Sequence, residues 1–116
     1  DIAKQLAPLR DEGVLVVGSG NIVHNLRLWR QNMAEPYDWA QRFDEDIADR
    51  IADGHHEGML GYETLGPDAL MAIPTPEHYL PLLYVLALQR DDEPVSFFNE
   101  SVASSISMRS VLVGDA

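Results

Sequence analysis

The 116 residues include no cysteine, so neither a disulfide framework nor a thiolate metal site is open to this chain. Any metal would have to be held by His, Asp or Glu. Cationic residues are scarce too: eight Lys and Arg against nineteen Asp and Glu give 8 − 19 = −11. Such a field repels phosphate backbones and anionic lipid surfaces, which argues against nucleic acid as a partner. No apolar run approaches the ~20 residues that span a bilayer, and the start lacks the basic-then-apolar order of a signal peptide. The expectation is a cytoplasmic protein that does not enter membranes.

What is present suits one small domain over residues 1–116, because 46% hydrophobic content is enough to fill a single core. Ile2, Leu6 and Leu9 form a stripe at helical spacing that Gly13 stops, and the chain opens as though a helix were already under way. The expectation is a fragment. Val14 to Val17 is a continuous β-branched and aliphatic run, the pattern of a strand covered on both faces. Gly18-Ser19-Gly20-Asn21 then turns sharply, with a short helix expected from Asn25 through Arg30.

Pro36 is suited to the first position of the next helix, whose Ala40, Phe43, Ile47 and Ile51 share one face. Asp38, Glu45, Asp46 and Asp49 cover much of the rest, and Gly54 ends it. Residues 55–75 read as short helical turns and loop. Glu77 to Gln89 is apolar enough to predict a helix buried on most sides, and two strands are expected at about Val95–Asn99 and Ser104–Val113. The order strand, helices, strand, strand predicts an α/β fold with a mixed sheet flanked by helices, an incomplete portion of a larger single-domain fold.

Two histidines stand in long, specific contexts. His24 lies in Val14-Leu-Val-Val-Gly-Ser-Gly-Asn-Ile-Val-His24-Asn-Leu-Arg27, just past a strand end, where ligands of α/β sheets gather. Alone, such a histidine is more often a loop residue satisfied by backbone. His78 lies in Pro74-Thr-Pro-Glu-His78-Tyr-Leu-Pro-Leu-Leu-Tyr84, in the first turn of an apolar helix whose N-terminus disfavours positive charge and keeps imidazole in its metal-binding form. The bland alternative is a polar gap-filler. The two are 78 − 24 = 54 residues apart, so only the fold can join them.

Other motifs are weaker. His55-His56-Glu57 looks like a metal triplet, yet adjacent side chains diverge and do not readily share an ion. Gly18-Ser-Gly20 lacks the third glycine of a dinucleotide fingerprint, since Val23 stands there, leaving a nucleotide-binding module as a distant third reading. Arg27 and Arg30 could clamp a substrate carboxylate, although a solvated face is the simpler account. Tyr79 could donate to a bound phenolate, although a tyrosine in so apolar a segment is more often core.

The two histidine segments, with Asp53-Gly-His-His-Glu-Gly58 and the tail from Phe97 to Val113, resemble the second half of the class III extradiol ring-cleavage dioxygenases of the DOPA 4,5-dioxygenase-like family. The likeness runs from about Val14 to Gly114. It implies a C-terminal portion of a catalytic domain that opens a catechol ring, DOPA-like, with O2. His78 would be a metal ligand, and His24 a ligand or the acid/base. The His55-His56 stretch would lie near the active-site mouth, where one of the pair, His56 first, could contact substrate beside the contact open to Tyr79. Fe(II) is the expected catalytic metal, because imidazoles suit it and leave coordination positions open, with Zn(II) a bound substitute that cannot activate O2 by electron transfer. Two further metal-binding histidines of that family lie in an N-terminal half that these residues do not match, so that half is the expected partner. The rival reading is a non-catalytic binding or assembly module of the same shape; metal-free histidines held far apart would favour it. The sequence leaves the oligomeric state open.

Overall fold

In the computed structural model, which describes residues 1–115, helix α2 (Asp38–Ala52) is the element around which the rest packs. Ala40, Phe43, Ile47, Ala48 and Ile51 recur at three- and four-residue spacing and all are buried. Burying each of the larger ones stabilises the fold by about 1.5–3 kcal/mol. The helix starts two residues later than the sequence predicts. Tyr37 holds the extended N-cap position, and Pro36 lies outside in a parallel bridge to Ser104. Gly54, at φ +74°, follows the last turn.

The other helical pieces are short: α1 (Ala7–Asp11), preceded by a 3-10 turn over Ala3–Leu6, then α3 (Glu57–Leu60), α4 (Pro67–Ala72) and α5 (Leu80–Ala87). Further 3-10 turns cover Tyr62–Leu65 and Pro76–His78. Helix α4 packs on α2 through Ala69 and Ala72, whose small side chains permit a close approach. The predicted helix Glu77–Gln89 is thus split, and it is less covered than its composition suggests. Leu86 and Leu88 face the core, but Leu80 and Tyr84 are exposed. Arg10 of α1 donates to the Glu93 carboxylate at 2.6 Å and ties the start of the chain to the turn after α5.

Strand β1 (Val95–Phe98) pairs antiparallel with β4 (Ser110–Val113), Val95 opposite Val113. Between them β2 (Val102–Ala103) and β3 (Ile106–Ser107) form a tight antiparallel hairpin. The expected single strand Ser104–Val113 is therefore broken. Ser104 takes φ +52° in the hairpin turn, and Ser104, Ser105 and Ser107 are fully buried with their hydroxyls turned to other segments. The class remains α/β, with two small sheets flanked by helices.

Two expectations fail outright. Val14–Val17 forms no strand: it pairs with nothing in either sheet, and Leu15 and Val17 are 80% and 77% exposed. A run meant to be covered on both faces finds no neighbouring strand among the described residues. Asn25 to Arg30 makes turns instead of a helix, because the Asn25 N–H and C=O are both taken by Ser105 and its side chain donates to the Met71 carbonyl at 2.8 Å instead of capping. No helix among the described residues is long and apolar enough to cross a membrane.

Candidate metal and proton-transfer site

The fold brings the two distant histidines together. The rings of His24 and His78 stack with centroids 3.7 Å apart and planes inclined by 21°. Both side chains are half-buried. Each arrives on a different support. The His24 N–H donates to the Ala72 carbonyl at the end of α4, and its backbone bridges Ile106 of β3. His78 ends the 3-10 turn that Pro76 begins, so it lies just before α5 and not inside it.

The glycine elbow explains how the segments meet, though not as the turn chemistry suggests. Neither Gly18 nor Gly20 has positive φ. What they provide is close backbone approach: a Cβ on Gly20 would sit 2.1 Å from the His78 carbonyl oxygen, and one on Gly18 would sit 2.8 Å from that of Pro81. The Asn21 N–H donates to the same His78 carbonyl at 2.7 Å. That use of the turn's N–H also disfavours the phosphate-cradle reading of Gly18–Asn21.

Burial is the main cause that pushes the His24 pKa below its ordinary value, followed by repulsion from His78; the Glu77 charge opposes them weakly. Neutral imidazole, the form that binds metals or takes up a proton, is favoured there. Imidazole nitrogens are donors of the type that suit a divalent transition metal, and His24 and His78 are the two brought together here. Planes this nearly parallel do not meet within the ~2.0–2.1 Å reach of an imidazole–metal bond. For both to hold one ion, one ring must turn out of the stack. Among the described residues no group of three or more His, Cys, Asp or Glu side chains is placed to hold an ion.

Tyr79 belongs to the core. It is 1% exposed, its hydroxyl donates to the Met59 carbonyl at 3.0 Å, and burial drives its pKa upward. His55 is exposed while His56, the N-cap residue just before α3, is half-buried, with Nε2 shielded from solvent and unpartnered; burial lowers its pKa. Arg27 and Arg30 are exposed, and Arg30 donates to the Tyr37 hydroxyl.

Sequence reasoning missed the bracing beneath the histidines. Asp44, fully buried, accepts from the Ser107 hydroxyl at 2.5 Å and from Arg109 Nε at 2.9 Å, and Arg109 also reaches Glu100 and lies over the Phe97 ring. The signal was available, since Asp44 falls four residues after Ala40 and three before Ile47 on the apolar face of α2. A cavity of about 360 Å³ runs beside the site between Val16–Val17, α5 and β4, with His78, Asn21 and Arg109 in its walls. His24 does not line it.

Residues 2–112 match the family described as the catalytic LigB subunit of aromatic ring-opening dioxygenase, and the chain belongs to that family. The relatives are specific. The chain is 38% identical over 122 residues to a 4,5-DOPA dioxygenase extradiol of Escherichia coli (strain K12), covering 98% of this chain and 44% of that protein. It is 38% identical over 86 residues to the protein of the same name in Portulaca grandiflora, covering 71% of this chain and 31% of that one. A crystal structure of an uncharacterized protein from Escherichia coli K12 superposes with a TM-score of 0.84 at 38% identity, covering 94% of this chain and 46% of that one. The chain spans less than half the length of these relatives.

Proposed function

We propose that this chain forms the His24–His78 side of a metal-dependent extradiol dioxygenase that opens a catechol, DOPA-like, with O2. The observation that carries the reading is the stacked imidazole pair, joined across 54 residues within a family of ring-opening enzymes. Bound Fe(II) would supply open positions for the catechol oxygens and O2. His78 serves as a ligand. His24 either turns to join it or stays in the stack as acid/base, its neutral form ready to take a catechol proton and return it. His56, with an unsatisfied ring nitrogen, is the residue here proposed to face substrate.

Two imidazoles bind a metal loosely, so the remaining donors are assigned to the other half of the family fold. The exposed Leu15 and Val17, and the cavity between their segment and β4, offer that half an apolar docking edge. The work would take place in the cytoplasm.

The test combines this chain with the remaining half of the fold, either fused or co-expressed, under anaerobic conditions with Fe(II) and a panel of catechols, then admits O2. A ring-opened product absorbing in the visible is expected. His78→Ala should abolish it, and His24→Ala should slow it by about 10²–10⁴-fold if the ring works as acid/base. No product from any catechol would overturn the reading in favour of a non-catalytic module of the same shape.

A further inference from the structure

We infer that Gly20 and Asn21 are positioning residues that set the spacing of the His24 and His78 rings, a role that deepens the proposed function and rests on it for its chemical purpose. Strand β3 is the common reference. On one side Ile106 bridges the His24 backbone, and the Ser107 N–H donates to the Val23 carbonyl at 3.0 Å. On the other, the Ser107 carbonyl accepts from Asn21 Nδ2 at 2.7 Å, and the Asn21 N–H passes the constraint to the His78 carbonyl, also at 2.7 Å.

One short strand therefore locates both imidazoles, the first by direct pairing and the second through a single asparagine. The clip closes only because residue 20 has no side chain. With a Cβ 2.1 Å from the His78 oxygen, 3.0 Å from its carbonyl carbon and 3.4 Å from its Cα, the obstruction is backbone and cannot rotate away. An alanine at position 20 must push the His78 turn outward and break the Asn21 hydrogen bond. Gly61 supplies the contrast: its φ is −99° and a Cβ there meets nothing closer than 3.7 Å.

The test is nuclear magnetic resonance on the full chain, comparing Gly20→Ala with Gly61→Ala. In the unaltered chain and in Gly61→Ala, cross-peaks between the His24 and His78 ring protons are expected, together with scalar coupling from the Asn21 amide nitrogen to the His78 carbonyl carbon. Gly20→Ala should lose both while keeping its far-ultraviolet circular dichroism, and its affinity for Co(II), titrated by visible absorption, should fall at least tenfold. Ring cross-peaks that persist in a folded Gly20→Ala would overturn the inference. If Gly20→Ala does not fold, Asn21→Ala decides: weakened ring cross-peaks at unchanged circular dichroism support the clip, and unchanged cross-peaks overturn it. Loss of the cross-peaks in a protein whose unaltered form takes up no Co(II) would support the clip while counting against the metal reading.

Discussion

Two stretches only a few residues apart in sequence differ sharply in how they are held. Around His24 the backbone is held at several points: the His24 N–H donates to Ala72, the Asn25 N–H to Ser105, the Ser107 N–H to Val23, Ile106 bridges His24, and the serine hairpin is anchored below by Asp44 and Arg109. Val14 to Val17 is more apolar than the histidine segment, yet Leu15 and Val17 lie open to solvent and no strand among the described residues pairs with them. Hydrophobicity alone does not decide burial. A β-branched run is stabilised by neighbours on both edges and both faces, and here the described residues supply them only to the segment that follows.

The sharpest way to break the braced side is at Asp44. Its carboxylate is fully buried with Arg109 Nη2 at 2.8 Å, while Arg109 itself is about 10% exposed. Removing one member of a buried pair leaves the other charge stranded, so Asp44→Ala should lower unfolding stability by roughly 3–5 kcal/mol. Chemical denaturation followed by circular dichroism measures it. A loss under about 1 kcal/mol would show that Glu100 and solvent suffice for Arg109, and that the hairpin does not depend on α2 for its anchor.

A smaller effect separates the core from the site. Tyr79 adjoins His78 in sequence, but its hydroxyl is committed to the Met59 carbonyl. Tyr79→Phe should cost about 0.5–1.5 kcal/mol of stability through the lost hydrogen bond. The His24–His78 ring cross-peaks and Co(II) affinity should remain as they were. A variant of undiminished stability that binds Co(II) more weakly would move Tyr79 from the core into the chemistry.

The helix face of α2, the β1 and β4 strands and the pairing of His24 with His78 were all legible, each for a physical reason. Ala40, Phe43, Ile47 and Ile51 repeat with the period of a helix. Val95–Phe98 and Ser110–Val113 are short, β-prone segments on either side of polar turns. The histidines were visible only through the contexts around them, because no local spacing links residues 54 apart. What could not be read was which segments the described residues would leave without a strand beside them. Val14–Val17 has every intrinsic property of a buried strand, and Ser104–Val113 alternates like one, but the first has no neighbouring strand among the described residues and the second is diverted by serines whose hydroxyls bond to Asn25, Arg30 and Asp44. Gly20 was legible as a glycine needed for geometry. Its actual constraint, contact with a backbone carbonyl far along the chain, was not.

The smallest change in stability is expected on the open side, and there it is most informative. Val17 is 77% exposed and contributes little to the core, so Val17→Lys should alter the stability of the chain by no more than about 0.5 kcal/mol. If the Val14–Val17 edge receives the other half of the family fold, the same lysine places a charge on the apolar surface to be covered, and association of the two halves should weaken by at least tenfold. Titration of one half into the other by calorimetry reads this directly, with Glu12→Gln as an exposed control outside the run. Equal affinity for Val17→Lys and the unaltered chain would mean that the run is an exposed apolar patch with no docking role, and the contrast between the two regions would then reflect local bracing alone.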